Sequence, residues 1–266
     1  MKKLFVSIAA MVTMMTSYAQ KSLVLYYSET GTTKTVAQEL QKQLGADIES
    51  IECVEPYTGN FQETIQRGQR EMQSGQLPTL KPLKSKIADY DVIFLGYPIW
   101  FGTYANPIAT LVRDNDFTGK TIVPFCTFGS GGLNTSTEAL KQALPGATVK
   151  NGYGVRTARV TAAEKELDRF LKENGYKPGT VIPLPDYSNQ QPLTAHERQV
   201  FENACSSYQF PLGTPLSVGK RTTPESTDYK YTVKSRGMNG EETTCIIYVT
   251  VPNADRNKPE FTEVVR

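Results

Sequence analysis

The order of elements along this 266-residue chain predicts a doubly wound α/β domain with a parallel sheet, followed by a smaller α+β unit. Three observations carry that prediction. Apolar runs such as Leu23–Tyr27 and Val92–Gly96 alternate with segments whose apolar residues repeat at helical spacing. The runs are continuously apolar, as strands covered on both faces must be. Near Pro183-Leu184-Pro185 and Gln190-Gln191-Pro192 the composition turns to that of a linker, and alternating strands follow.

The elements read in order as follows. Leu23–Tyr27 is the first strand, and Thr33–Leu44 is a helix with Val36, Ala37, Leu40 and Leu44 on one face, closed by Gly45. Asp47–Cys53 is the second strand and Phe61–Met72 a polar helix. Val92–Gly96 is the third strand, followed by a helix over Asn106–Arg113. Thr121–Cys126 is the fourth, followed by Asn134–Leu144. Ala147–Val155 is the fifth, and Ala162–Asn174 the last helix of the series, with Thr161 and Glu164 spaced as a capping box. Beyond the linker, Thr194 and Glu197 are spaced as a second capping box for a helix reaching about Tyr208. Strands are then predicted near Leu216–Thr222, Tyr229–Ser235, Thr243–Val251 and Phe261–Val265, with Asn239-Gly240 as the turn between the middle two. One helix on four antiparallel strands is topologically like the cystatin arrangement. The expected division is 1–19, 20–183 and 186–266.

Residues 1–19 have the pattern of a secretory signal peptide. Lys2 and Lys3 precede an apolar stretch from Leu4 to Met15, and Ser17-Tyr18-Ala19 supplies small residues for cleavage before Gln20. Export, into a periplasm, is the expectation. No later run is long and apolar enough to span a membrane. Without Lys2 and Lys3 the 29 basic residues fall to 27, equal to the 27 acidic ones, so nothing draws the chain to nucleic acid. Cys53, Cys126, Cys205 and Cys245 are far apart and His196 is the lone histidine, so no zinc-type spacing exists and no metal is expected.

Chemistry is expected where the strands end, since ligands of such sheets lie beyond their carboxyl ends. The first strand runs into Ser28-Glu29-Thr30-Gly31-Thr32-Thr33 directly before a helix. Hydroxyls, turn N–H groups and a helix start converge there, which suits a phosphate without any cation. Neither the G-x-x-x-x-G-K of nucleotide loops nor the G-x-G-x-x-G of dinucleotide sites is present. A hydroxyl-rich helix cap is the plainer alternative. The third strand ends in Pro98-Ile99-Trp100-Phe101-Gly102, and Trp100, the sole tryptophan, suits stacking on an aromatic ring or simply plugging the sheet top. The fourth ends in Thr127-Phe128-Gly129-Ser130-Gly131-Gly132, where small residues leave room and Phe128 offers a second aromatic. Ser130 lacks the G-x-S-x-G setting of a hydrolase nucleophile, and His196 lies in the other unit.

With these three loops the chain resembles the flavodoxin family, in the branch with Y-Y-S-x-T-G-x-T after the first strand and G-Y-P-I-W-[WF]-G after the third. Tyr26–Thr33 and Gly96–Gly102 match, and the elements agree from about Leu23 to Asn174. The resemblance implies a five-stranded sheet of order 2-1-3-4-5 and bound FMN. Its phosphate would sit on Ser28–Thr33 and its ring between the Trp100 and Phe128 loops. Members are usually cytoplasmic, and this chain carries an export pattern. The implied function is electron transfer to a partner protein or a small acceptor, with no catalytic side chain because the flavin does the chemistry. An NAD(P)H:quinone-type reductase stays open. So does a non-redox binding module that uses the second unit for docking. In the implied strand order Cys53 and Cys126 stand about 14 Å apart, too far for a disulfide. Cys205 and Cys245 both point toward the second unit's interior, so either a bridge between them or four free thiols is open.

Overall fold

The computed structural model describes residues 20–236, 240–255 and 258–266. Residues 1–19, and Asn239 of the expected turn, lie outside the described residues.

The first unit contains β1 (Ser22–Tyr26), α1 (Thr32–Leu44), β2 (Asp47–Ser50), α2 (Phe61–Ser74), β3 (Val92–Trp100), β4 (Thr103–Tyr104), α3 (Asn106–Asp114) and β5 (Thr121–Phe128). It is completed by α4 (Leu133–Ala143), β6 (Thr148–Val149), β7 (Tyr153–Arg156) and α5 (Ala163–Glu173). The parallel order is β2-β1-β3-β5-β6, with β7 also paired to β5. This is the 2-1-3-4-5 sheet with its last strand in two pieces.

The division of that last strand has a local cause. Ile122 accepts from the Lys150 N–H, so the β6 edge of β5 presents Ile122 and, two residues on, Pro124. Proline has no N–H to continue the ladder. Gly152 crosses here, so close that a Cβ would lie 2.4 Å from the Pro124 carbonyl oxygen. The expectation of one strand over Ala147–Val155 is therefore corrected to two short ones.

Both sheet faces are buried, which is why the strands lack polar alternation. Leu23, Leu25, Ile93, Leu95, Ile122 and Cys126 face α3 and α4. Val24, Phe94, Val123 and Phe125 face Val36, Ala37 and Leu40 of α1 and Leu167 and Leu171 of α5. Each large side chain so buried contributes about 1.5–3 kcal/mol. The capping box expected from Thr161 and Glu164 does not form. A 3-10 turn over Thr157–Ala162 precedes α5, whose N-cap, Ala162, makes no side-chain bond. Helix α2 does have a box, from Asn60 and Glu63, that the sequence reading missed.

The second unit contains β8 (Gln191–Pro192), α6 (Ala195–Cys205), β9 (Thr214–Thr222), β10 (Ser226–Arg236), β11 (Glu242–Pro252) and β12 (Glu260–Val265). They form an antiparallel sheet of order β12-β11-β10-β9-β8. Strand β8 lies in the stretch read as linker. The Thr194–Glu197 capping box is present, and α6 ends at Cys205, short of Tyr208. Cys245, Ile247, Val249 and Val251 alternate inward, as the period of two requires, against Val200, Phe201 and Ala204 of α6. All four cysteines are free thiols, so no Cys205–Cys245 bridge is present.

Candidate functional site

The loop after β1 runs into α1 through Gly31, whose φ of 89° makes it a left-handed N-cap with no side chain to bond the helix. The Ser28 hydroxyl accepts from the Lys34 N–H at 3.1 Å. The first turn is otherwise uncapped by side chains, which leaves N–H groups and the positive end of the helix dipole facing outward. Thr30 is exposed and Thr32 half-buried, whereas Thr33 is buried and shares a 2.8 Å hydroxyl bond with Thr127 at the end of β5. That bond ties the first loop to the third. The Tyr27 hydroxyl donates to Glu29, holding this carboxylate at the base of the loop.

The second loop is a hairpin tip. Trp100 pairs with Thr103 across Phe101-Gly102, and both tip residues have positive φ, 51° and 83°. Such two-residue turns match strand twist, but a bulky non-glycine residue there is strained. The Phe101 ring is held against α2, where a Cβ on Gly68 would meet it at 3.1 Å. Trp100 is half-buried, edge-on to Tyr57 at 4.9 Å and to Tyr27 at 5.9 Å between centroids. Beneath this cluster Glu71 receives the Tyr57 hydroxyl, the Asn106 amide at 2.8 Å and the Arg67 guanidinium at 2.8 Å. Burial, then the bond to Glu71, pushes the Tyr57 hydroxyl far up, so it stays protonated. Sequence reasoning missed Tyr57, Arg67 and Glu71. Tyr57 stands outside any periodic run and had no signal; the spacing of Arg67 and Glu71 on one helix turn did offer one.

The third loop follows β5. Phe128 is buried, with its ring close to Gly154 of β7. Its ring is therefore committed to the core, and the expected second stacking aromatic is not presented at the loop surface. Gly132 caps α4 with a φ of 119° and again no side-chain bond. An added Cβ would meet nothing within 4 Å at Gly31, Gly102 or Gly129, one glycine from each loop. The three loops thus expose bare backbone to open space, beside two helix starts whose N-cap residues are glycines. This is a fit for a phosphate-bearing ligand with a flat ring. Among the described residues no group of His, Cys, Asp and Glu could hold a metal ion.

The other side of the third loop is covered by the second unit, which the sequence did not indicate. The Val264 N–H of β12 donates to the Ser130 carbonyl at 2.7 Å. A Cβ on Gly131 would lie 2.2 Å from the Val264 carbonyl oxygen. Arg156, at the end of β7, donates from Nε to Gly129 O at 2.7 Å and from Nη1 to Phe261 O at 2.9 Å. Its guanidinium rests 4.1 Å from the Phe261 ring centroid. Nearby, Arg159 bridges Glu260 of β12 and Glu166 of α5. Glu263 of β12 lies with its Cγ 3.4 Å from the Gly131 Cβ position, and burial pushes its carboxyl up to about 7.

A doubly wound sheet with a hydroxyl-and-amide loop at β1, a strained aromatic hairpin at β3 and a glycine-rich loop at β5 defines a class of small-ligand-binding α/β proteins. Residues 21–174 match the flavodoxin family, and the chain belongs to it. A candidate flavoprotein of Bacteroides uniformis is 29% identical, with a TM-score of 0.51, over 56% of this chain and 98% of its own. One from Bacteroides eggerthii is 32% identical over the same shares, with a TM-score of 0.48. A Lactobacillus acidophilus flavoprotein solved in complex with FMN is 22% identical, covering 55% of this chain and 97% of its own, with a TM-score of 0.46. A comparison with curated proteins returned no match. No helix among the described residues is long and apolar enough to cross a membrane.

Proposed function

We propose that this protein binds FMN and transfers electrons outside the cytoplasm. The observation that carries this reading is the start of α1, whose N-cap Gly31 has no side chain to bond the helix, inside a loop of hydroxyls, in a chain that belongs to the flavodoxin family. On this reading Ser28, Glu29, Thr30, Gly31, Thr32 and Thr33 hold the phosphate, with main-chain N–H donors and the helix dipole in place of a cation. Pro98–Gly102 and Thr127–Gly132 hold the ring, Trp100 and Ile99 from one side and the backbone of Gly129 from another. FMN supplies the chemistry by accepting and releasing electrons. The chain's own residues bind, orient and exclude water, and none acts as a nucleophile or acid. Aromatic packing of Trp100 on Tyr27 and Tyr57 pre-sets the wall against which a ring would rest. Export rests on the pattern of residues 1–19, and the acceptor is a partner protein or a small molecule.

The test is the visible spectrum of the purified protein, with mass identification of any released cofactor. A yellow protein releasing FMN, or an apoprotein whose Trp100 emission is quenched as FMN is added, supports the reading. A protein that stays colourless with FMN, with unchanged tryptophan emission, overturns it. Cell fractionation of the full chain tests export, and retention in the cytoplasm overturns that part.

A further inference from the structure

Strand β12 is the edge of its sheet, and an edge strand carries unpaired backbone groups that must be met elsewhere. Two of them are met by the first unit. The Val264 N–H reaches Ser130 O, and Phe261 O receives Arg156, whose Nε also holds Gly129 O. The second unit is therefore hydrogen-bonded to Ser130, linked to Gly129 through Arg156, and packed against Gly131. This fastening delivers one ionisable side chain. Glu263 lies on the sheet face opposite the unit's core, to which Phe261 and Val264 turn. Its stem rests on Gly131. No hydrogen bond or ion pair to its carboxyl exists among the described residues. The groups that face it are Cys126 of β5 and Tyr248 of β11, both held neutral by burial. The two nearby cations are engaged elsewhere, Arg156 on carbonyls and Arg159 on Glu260 and Glu166.

We propose that the second unit completes the flavin site, and that Glu263 is a positioning residue whose charge, held against the Gly131 loop, is coupled to the redox state of the bound flavin. This rests on the FMN reading above. Two electrons from an external reductant and one proton from water leave a flavin ring with one net negative charge. A carboxylate beside the same loop opposes that charge. Uptake of a second proton from water by Glu263 removes the opposition. By linkage, reducing the flavin raises the proton affinity of Glu263, and ionising Glu263 weakens binding of reduced relative to oxidised flavin by the same factor. A coupling of about threefold to tenfold is the expected size for one unit charge in a partly buried site.

The experiment is a carboxyl-carbon NMR titration of Glu263 in the full mature chain, as apoprotein, with oxidised FMN and with FMN reduced by dithionite. FMN binding is first measured by Trp100 quenching. The apoprotein should titrate near 7, and reduction of the bound flavin should move the midpoint upward. The Glu263→Gln variant should raise the affinity for reduced relative to oxidised FMN about threefold to tenfold at pH 8, with no change in that ratio at pH 5. Glu263→Asp should keep the pH dependence, and circular dichroism of each variant checks the fold. Coincident midpoints in the oxidised and reduced states, with FMN bound, overturn the coupling and leave the FMN reading standing. Failure to bind FMN overturns both.

Discussion

Replacing Gly131 by Ala should undock the second unit from the third loop. The added Cβ would stand 2.2 Å from the Val264 carbonyl oxygen, a backbone atom that moves only with its strand. Gly131 does not need glycine for its φ, so the effect isolates the contact. If β12 withdraws, the Val264–Ser130 bond is lost, about 1 kcal/mol, and so is the charge-assisted bond from Arg156 to Phe261, about 1.5–3 kcal/mol. If β12 stays, overpacking strain costs a similar amount, about 1–3 kcal/mol. Either way docking weakens by at least about 1 kcal/mol, with about 2 kcal/mol as the central value. That corresponds to roughly a 30-fold loss of amide protection at Val264, readable by hydrogen exchange with mass spectrometry. Gly129→Ala is the control, because its Cβ meets nothing within 4 Å. It should leave Val264 protection and stability within about 0.5 kcal/mol and weaken FMN binding, since the methyl enters the open cleft. Unchanged Val264 protection in a folded Gly131→Ala protein would refute the docking argument.

Glu197 is 4% exposed; burial opposes its ionisation, but its 2.6 Å ion pair with Lys220 and the Thr194 donors outweigh that and lower it to about 2. A depressed carboxyl contributes stability that is present above its unfolded value of 4.5 and lost as pH falls through about 2. Glu197→Gln should therefore lose at most about 3 kcal/mol at pH 7, and its deficit against wild type should shrink between pH 4.5 and 2 in urea unfolding followed by circular dichroism. Glu263 has the opposite sign. Its raised carboxyl gives stability that is present below 4.5 and lost as pH rises through about 7. In the same assay Glu263→Gln should gain on wild type across that window by at most about 3 kcal/mol, and a flat difference counts against a desolvated Glu263 carboxyl. Thiol counting on the unfolded, unreduced protein should find four reactive cysteines, and two would contradict the free thiols of the structure.

The sequence by itself was enough for whatever depends on neighbours along the chain. Continuous apolar runs announced β1, β3 and β5 because a strand buried on both faces leaves no polar position. Helical spacing announced α1, and Thr194 with Glu197 announced the start of α6, because capping is local chemistry. The loops after β1 and β3 could be located because their hydroxyls and glycines are consecutive residues directly after continuous apolar runs. What escaped depends on distant residues meeting. Pro124 divided the last strand only because it faces that edge of β5. Phe128, the aromatic at the end of β5, turned inward because Gly154 on a different strand leaves room for its ring. Tyr57 met Trp100, and Glu71 met Tyr57 and Asn106, only when α2 packed against α3. The seating of Glu263 on Gly131, 132 residues earlier in the chain, was decided by tertiary structure alone. An edge strand needs partners for its free N–H and C=O groups, and no local pattern says which loop supplies them.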